Sequence, residues 1–268
     1  MSVQDPRTGL EFVELSHVWG HGVPVWPGDA DVRIERAAHH SRFGVMSQRL
    51  TMNMHCGTHL NAPLHLVQRG ADMAALPIDL FFRNGVVLDI PKGKWELISA
   101  DDLRQHADRI KPRDIVLIVT GWHHKHSESQ EWFGHAPGLS KDAAEYLIER
   151  QAAVVGIDTA AIDHPMATSL AAHRGGPLIK RLPQHYREAT GRDAKADFPE
   201  WMPAHRTLLG AGIPTIEGVG GDVDTVKGSR VTIQALPWKW IGGDACVIRL
   251  MALRDPAGKN RIESGAAA

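Results

Sequence analysis

The sequence predicts an α/β fold in which helices cover a mixed sheet. Two almost wholly apolar runs, residues 114–120 and 153–157, have the length and composition of strands that are buried on both faces. Between them, residues 140–152 carry apolar side chains that recur on one helical face. Such a strand–helix–strand unit places its strands parallel, so we expect functional residues in the loops that follow Thr120 and Ile157.

The first third of the chain is predicted to be rich in β structure. We expect short strands near residues 12–15, at 32–34 and at 85–90. Residues 45–54 alternate at nearly period two, which predicts a strand that runs up to His55 and holds it on a rigid edge.

The remaining elements complete a single predicted domain over residues 11–255. Ser99 followed by Asp102 is a capping box that predicts a helix start. Residues 160–204 show only a weak pattern and are predicted to be a long excursion rather than a separate domain. Further strands are expected at 213–216, 231–236 and 246–253. Residues 1–10 are predicted to be a flexible N-terminal segment and 256–268 a C-terminal tail, frayed at 263–268.

Composition favours a small molecule as the partner. The 268 residues are 43% hydrophobic and 23% charged, which suits one domain with a large core. A formal net charge of -1 gives no electrostatic footprint for nucleic acid or an anionic membrane. The two cysteines, Cys56 and Cys246, do not make a disulfide framework, and we find neither a signal peptide nor a long apolar span. We therefore expect a cytoplasmic protein.

The segment 55–65 has the character of a metal site. It contains three histidines and an asparagine at offsets of four, two and four residues: His55, His59, Asn61 and His65. A glycine and a proline inside the segment argue against a helix and favour an irregular turn. Imidazole groups at this density are typical of metal ligands, although three hydrogen-bonding side chains that stabilise a turn are an alternative.

A second group of candidate ligands lies near the C-terminal end of the chain. His205 and Glu217 flank a glycine-rich apolar segment, residues 208–214. Glu217 ends a predicted strand, and a carboxylate in an apolar setting needs a cation or hydrogen-bond donors. This second group strengthens the prediction of a metal site.

Most other reactive side chains are predicted to be structural. The run His123-His124-Lys125-His126 is interpreted as a solvated loop after a strand, able to bind metal only adventitiously. Cys56 has no evident base and is interpreted as a small buried hydrophobe rather than a nucleophile. Solvated or singly hydrogen-bonded side chains are expected for His39, His40, His106, His135, His164, His173 and His185.

These motifs resemble the cyclase family of metal-dependent hydrolases, which includes bacterial kynurenine formamidase and isatin hydrolase. The family's hallmark is H-x-G-T-H-x-D-x-P-x-H, and the chain matches it at His55, Gly57, Thr58, His59, Pro63 and His65. The resemblance covers about residues 11–253 and extends to Pro24-Val25-Trp26-Pro27-Gly28-Asp29, Thr120-Gly121-Trp122, Gly138-Leu139-Ser140, Gly156-Ile157-Asp158-Thr159, Asp163 and the segment 205–217. It implies a swivelling β/β/α fold and a homo-oligomer, either a dimer or a tetramer.

The resemblance also implies a role for each candidate residue. The implied metal ligands are His55, His59 and the residue at 61, with His205 and Glu217 completing or extending the site. The proton-transfer residue is His65, and the residue that lines the substrate pocket is Trp26. From the residues alone, Trp26 lies in a turn with two prolines and packs in the core or in a crevice.

One departure from the family pattern affects the metal. Asn61 stands where the family has aspartate, and an amide offers one neutral carbonyl oxygen in place of two anionic oxygens. One metal ion per site is therefore expected rather than a bridged pair.

The function expected from these residues is hydrolysis of a small molecule. Mixed nitrogen and oxygen ligands suit zinc or manganese, which would activate water to open an amide, lactam or lactone bond, with His65 moving the proton. Two alternatives stay open: a metal-dependent lyase or isomerase, and a metal- or ligand-binding protein without catalysis, because Asn61 replaces the family aspartate.

Overall fold

The computed structural model describes residues 2–174 and 178–258. Fourteen strands occur within these two ranges, and most of them join one sheet. In chain order they are β1 (Val3–Gln4), β2 (Glu11–Glu14), β3 (Arg33–Ala38), β4 (Ser47–Thr51), β5 (His59–Asn61), β6 (Phe82–Asp89), β7 (Leu97–Ile98), β8 (Ile115–Val119), β9 (Gly138–Leu139), β10 (Val154–Ile157), β11 (Thr215–Glu217), β12 (Arg230–Gln234), β13 (Ala245–Val247) and β14 (Met251–Arg254).

The main sheet is mixed, as the sequence predicts. Its ten strands lie in the order β1-β2-β14-β12-β6-β8-β10-β11-β5-β13. The four strands β6, β8, β10 and β11 are parallel, and the strands on both sides of them are antiparallel. Two small sheets, β3 with β4 and β7 with β9, lie outside it. The predicted α/β class and the parallel arrangement of the two apolar runs are confirmed.

The sheet is strongly curled. Its strands β14 and β13 are seven places apart in the order, which in a flat sheet corresponds to about 34 Å at roughly 4.8 Å per strand. Only Ile248, Arg249 and Leu250 connect them in the chain, and that connection reaches no further than about 14 Å. The two parts of the sheet must therefore curve toward one another.

Seven α-helices occur within the described residues, and three of them cover one face of the sheet. They are α1 (His40–Phe43), α2 (Ala100–Arg104), α3 (Gln130–Gly134), α4 (Lys141–Glu149), α5 (Leu182–Thr190), α6 (Ala194–Asp197) and α7 (Pro203–Gly210). The predicted capping box is present at the start of α2, where Ser99 and Asp102 exchange hydrogen bonds. The predicted helix after Ser140 is also confirmed as α4.

The two faces of the sheet form two separate hydrophobic cores. In β8, Val116 and Ile118 pack under α2, α4 and α7, whereas Leu117 and Val119 point into the interior of the curl. This alternation explains why the whole run is apolar: both faces of β8 are buried.

Two strand predictions are wrong in detail. The strand predicted to reach His55 ends at Thr51 and belongs to the exposed hairpin of β3 and β4. Residues 52–58 follow it as bends and an isolated bridge, so His55 is not held on a strand edge. The strand predicted at 246–253 is two strands, β13 and β14, because the chain crosses between distant parts of the curled sheet at Ile248–Leu250.

The excursion at 160–204 contains more regular structure than its sequence pattern predicts. It includes α5 and α6, and its aromatic side chains build a third hydrophobic core with residues from elsewhere in the chain. Local signals for α5 are present: Pro183 lies in its first turn, and Gly191 ends it with a φ of 71°. The helix was missed because its apolar side chains are few and widely spaced.

The ends of the chain differ partly from expectation. Val3–Gln4 pairs with Glu11 and Phe12, so the segment predicted to be flexible contributes a short strand to the sheet. The frayed tail predicted at 263–268 lies outside the described residues. Among the residues that the structure describes, no helix has the length and hydropathy needed to cross a membrane.

His164 is buried against the third core and engages both ring nitrogens, whereas the sequence predicts a solvated or singly hydrogen-bonded side chain. Its Nε2 lies 3.1 Å from the carbonyl oxygen of Trp95, and its Nδ1 accepts a hydrogen bond from the backbone N–H of Met166. The ring also stacks on Phe198, with 4.1 Å between ring centroids. Burial lowers the pKa of His164 from its ordinary value of 6.5 to about 3.

This buried imidazole predicts a specific acid sensitivity. Because the unfolded chain binds the proton more readily than the folded chain, the stability contribution of neutral His164 is complete above about pH 6.5 and is lost as the pH falls toward 3. In His164→Gln we expect the melting temperature to fall less steeply than in the wild type between about pH 7 and pH 4. Thermal unfolding at several pH values measures this slope.

The control is His40→Gln, which removes an exposed histidine and should leave the wild-type slope unchanged. Equal slopes for His164→Gln and the wild type would contradict the assignment.

Candidate metal and active site

The site is built on β5, which lies between β11 and β13. In this arrangement His59 is paired with Glu217, and Asn61 is paired with Thr215. Directly opposed residues of neighbouring strands share a face of the sheet. The intervening Leu60 points into the core inside the curl, so His59, Asn61 and Glu217 point to the other face, toward α7.

The buried carboxylate of Glu217 is the centre of the cluster. One oxygen, Oε1, accepts a hydrogen bond from the backbone N–H of Ile162 at 2.6 Å and lies 2.9 Å from Nε2 of His205. The other oxygen, Oε2, accepts a hydrogen bond from Nδ2 of Asn61 at 3.2 Å and lies 3.0 Å from Nε2 of His59. Burial works to raise the pKa of Glu217, but the charge and contacts of the two histidines hold it well below its usual range.

His205 reaches Glu217 from the first turns of α7. Asp163 fixes this helix: its carboxylate accepts hydrogen bonds from the backbone N–H groups of Ala204 and His205 and from Nδ1 of His205, the last at 2.7 Å. Burial opposes the charged imidazole, yet the two carboxylates raise the pKa of His205 to about 10. The two carboxylates therefore favour the protonated imidazole at His205.

Three buried atoms of the cluster fit a metal ion. Nε2 of His59, Nε2 of His205 and Oδ1 of Asn61 are buried and have no hydrogen-bond partner of acceptable geometry, although both nitrogens lie close to Glu217. The other ring nitrogen of each histidine is engaged, with Gly57 or with Asp163. Each Nε2 atom can then offer its lone pair to a metal ion, as is usual for metal-ligating histidine. Two imidazoles, a carboxylate and an amide oxygen suit zinc or manganese.

A second layer of the site consists of His55, His65 and Asp244. Asp244 Oδ2 lies 2.9 Å from Nε2 of His55 and 3.5 Å from Nδ1 of His65. The ligand-type atoms of these three residues all lie within 4.8 Å of one another. The hydrogen bond from His55 and the contact with His65 hold the pKa of Asp244 far below its usual range.

Both groups face one cavity of about 300 Å³. The ring of Trp26 forms part of its wall and is held by a hydrogen bond from Nε1 to Oγ of Ser169 at 3.2 Å. Trp201 and Met202 add apolar surface to the same wall. A cavity of this size, with a few convergent polar groups, is typical of a site for a small molecule.

The model of the Cyclase family matches residues 13–164, which is more than half of the chain. The chain belongs to the cyclase family. A curated relative, kynurenine formamidase of Salinibacter ruber, is 25% identical over 249 residues, which cover 92% of this chain and 98% of the relative.

The fold of this cyclase-family chain is similar to that of solved isatin hydrolases. Isatin hydrolase A from Ralstonia solanacearum aligns with a TM-score of 0.74 and 21% identity, covering 93% of this chain and 94% of that chain. An isatin hydrolase bound to the product analogue thioisatinate aligns with a TM-score of 0.73 and 20% identity, covering 91% and 92%. The predicted cyclase-like fold is confirmed.

The cyclase-family motif places its residues in two groups rather than in one shell. Of the five predicted ligands, His59, Asn61, His205 and Glu217 form the buried cluster, whereas the more exposed His55 pairs with Asp244. His55 remains close to the cluster, since its ring centroid lies 5.4 Å from that of His59. The ligand assignments stay predictions.

Sequence reasoning missed Asp244 altogether. This residue comes directly before the strand β13, which pairs with β5 and so brings the carboxylate to the motif. A lone aspartate after two glycines carries no local signal for a site. Only the pairing of β13 with β5, a contact between distant parts of the chain, could have indicated it.

The run at 123–126 is not the solvated loop that the sequence predicts. His123 is buried, with Nδ1 2.9 Å from Oδ2 of Asp158, and His126 stacks on His17 at 3.6 Å between centroids. Only His124 and Lys125 of this run are exposed. The loops after Thr120 and Ile157 do meet, as expected from parallel strands, because Asp158 also accepts hydrogen bonds from Thr120.

Cys56 is a small buried side chain, in agreement with its interpretation from the sequence. Its sulfur is buried, donates to the carbonyl oxygen of Asn53 and accepts a hydrogen bond from Nε1 of Trp19. Burial raises the pKa of the thiol, which disfavours the nucleophilic thiolate.

The replacement Asn61→Asp tests the arrangement around Glu217. Asn61 Nδ2 donates to both Glu217 and Thr215, and an aspartate would put a second carboxylate against Glu217 instead. We expect the metal-free variant to be less stable by about 1–3 kcal/mol, the usual cost of losing buried hydrogen bonds. Added zinc or manganese should raise its melting temperature more than that of the wild type, because the extra negative charge strengthens cation binding.

Asn84→Asp is the matched control, since it makes the same chemical change at an exposed position of β6. Calorimetric titration and thermal unfolding with and without metal measure the effect. If Asn61→Asp and Asn84→Asp respond alike to metal, the residue at 61 lies outside the ligand set.

Proposed function

We propose that this cyclase-family protein is a metal-dependent hydrolase that opens an amide C–N bond of a small molecule, either linear or in a lactam, or a lactone bond. The observation that carries the proposal is the buried cluster around Glu217, in which Nε2 of His59, Nε2 of His205 and Oδ1 of Asn61 have no hydrogen-bond partner among the residues that the structure describes. Glu217 and the two histidines line one cavity. The curated relatives named kynurenine formamidase support the amide bond.

The proposed cofactor is one divalent ion per site, zinc or manganese. When bound, such an ion lowers the pKa of water and polarises a carbonyl group. Asn61 provides a single neutral oxygen and uses its amide nitrogen to donate to Glu217, so it is not equipped to bridge two ions. The residues proposed to hold the ion are His59, His205, Glu217 and Asn61, with His55 at the edge of the site.

His65 is the proposed proton-transfer residue. Burial lowers the pKa of His65, and the neighbouring His55 adds to the effect, so its imidazole is neutral near pH 7 and can accept a proton. Asp244 lies 3.5 Å from Nδ1, where its negative charge orients the ring and stabilises the imidazolium that forms. His65 then returns the proton to the leaving nitrogen, which needs it to depart as an amine.

The cavity walls favour a substrate with a flat apolar part. Trp26 packs edge to face against Phe133, a contact that limits the movement of the indole ring. Leu66, Trp201 and Met202 add to the apolar lining of the same cavity. A substrate held this way presents its carbonyl group to Glu217 and the histidines while its apolar part contacts Trp26.

The direct test is an assay with three probes: N-formylaniline, isatin and a simple aromatic lactone, each with zinc or manganese supplied. We expect turnover of at least one probe, with one oxygen atom from ¹⁸O-labelled water in the product. Product without labelled oxygen would favour a lyase or isomerase. Metal binding without turnover of any probe would favour the non-catalytic alternative and would contradict the proposal.

The same assay with His65→Ala tests the proton-transfer residue. We expect turnover to fall about a hundredfold or more, the usual scale for loss of acid–base catalysis, while metal content stays the same. His40→Ala, which removes an exposed histidine, should behave as the wild type. A parallel loss of metal and activity in His65→Ala would identify His65 as a ligand instead.

We also propose that the protein is a homo-oligomer, a dimer or a tetramer, in the cytoplasm. The hairpin of β3 and β4 is a two-stranded ribbon that exposes Phe43, Val45 and Leu50, and such a ribbon is only marginally stable by itself. A second copy that packs on this hairpin would cover its apolar side chains. Both cysteines are free, which suits a reducing compartment.

Light scattering tests the oligomeric state. We expect the wild type to have at least twice the mass of one chain and Leu50→Glu to shift toward the monomer, because a charge in a packed interface is costly. Ile78→Glu, at an exposed apolar position outside the hairpin, is the control. A monomeric wild type would rule out the proposal.

A further inference from the structure

A second group of metal-ligand side chains lies outside the candidate active site. It joins the 3-10 turn Trp122–Lys125, which follows β8, to the 3-10 turn Val223–Val226, which follows β11. Nε2 of His123 lies 3.3 Å from Oδ2 of Asp224, and Nε2 of His124 lies 3.1 Å from the same oxygen. One ligand atom from each of the three residues lies within 4.8 Å of the other two.

The carboxylate of Asp158 orients His123 for ligation. Asp158 is fully buried, and its Oδ2 lies 2.9 Å from Nδ1 of His123 and accepts hydrogen bonds from the backbone N–H groups of Gly121 and His123. Its Oδ1 accepts two more from Thr120. When Nδ1 of a neutral His123 donates to this fixed carboxylate, the lone pair is left on Nε2, the nitrogen that faces Asp224. A carboxylate–histidine pair of this kind commonly stands behind a metal ligand.

The alternative to a metal site is a protonated His123 that forms ion pairs with the carboxylates of Asp158 and Asp224. It accounts for the contacts of His123 with Asp158 and Asp224. The approach of His124 to the same oxygen of Asp224, at 3.1 Å from Nε2, is then a separate contact, in which a neutral imidazole donates its N–H. A cation shared by the three side chains accounts for all of these contacts together, and the ring centroids of His123 and His124, 4.0 Å apart, leave both Nε2 atoms within reach of one ion.

We propose that His123, His124 and Asp224 bind a divalent transition-metal ion, of which zinc is the best fit. Two imidazole nitrogens and one carboxylate oxygen are a suitable three-residue set, with water completing the tetrahedral coordination. Lys227 lies 3.0 Å from Oδ1 of Asp224 and so leaves Oδ2 for the ion. This site shares no residue with the cluster around Glu217.

The ion would cross-link two loops, the turn Trp122–Lys125 and the turn Val223–Val226. The first loop continues to His126, which with Trp132 lines a small cavity beside His55 and His59. Cross-linking this loop to the turn that holds Asp224 reduces the freedom of that wall. Zinc that binds the folded chain and not the unfolded chain stabilises the folded state by mass action. The melting temperature should therefore rise with zinc concentration.

The test uses the full chain after removal of metal with a chelator, titrated with zinc chloride against a chromophoric competitor. The variants are His124→Ala and Asp224→Asn, both at solvent-accessible positions where loss of the fold is not expected, and folding is checked by circular dichroism. We expect each variant to bind one equivalent of zinc fewer per chain than the wild type. His21→Ala, which removes an exposed histidine from another loop, should bind as much as the wild type.

His59→Ala separates this site from the active site. Because His59 belongs to the other cluster, the zinc that remains in this variant should be lost when His124→Ala is added. The proposal is overturned if His124→Ala and Asp224→Asn bind zinc with wild-type stoichiometry and affinity. It is also overturned if the only zinc bound disappears with His59→Ala.

Discussion

The arrangement of the candidate active site depends on one buried carboxylate, Glu217, which needs positively charged or hydrogen-bond-donating partners. Glu217 ends β11, the third strand from one edge of the main sheet, where it meets the ring nitrogens of His59 and His205 within about 3 Å. Removing one partner from a buried ion pair typically costs about 3–5 kcal/mol, because the other charge stays buried without compensation. The strands and the helix that carry these side chains are therefore tied to one another by the charge balance as well as by packing.

The curled sheet makes this convergence possible. The pairing of β5 with β11 puts His59 opposite Glu217, while Leu60 and Ile216 between them bury their side chains inside the curl. The same pairing aims the polar side chains at α7, whose first turn is anchored by Asp163. Successive side chains of a strand point to opposite faces of the sheet. The apolar core and the polar cluster therefore lie on opposite faces of the same two strands.

The sequence predicts the local parts of this arrangement and misses the distant ones. The buried runs of β8 and β10, the capping box at Ser99 and the motif at 55–65 are readable because each lies within a few consecutive residues. Asp244 and the split between β13 and β14 depend on which strands pair across the curl, and no local pattern encodes that choice. The burial of His123 was missed for the same reason, since its partner Asp158 comes from the next parallel strand.

Asn61 is a neutral side chain in direct contact with the buried carboxylate of Glu217. Its amide nitrogen donates to Glu217 and Thr215, so it helps to hold the carboxylate in place even when no ion is bound. An aspartate could do this only with a cation between the two carboxylates, since bare like charges repel at this distance. The asparagine therefore suits a site that folds without an ion. If His205 holds the proposed metal through Nε2, that nitrogen must give up any proton it carries, which would couple metal affinity to pH.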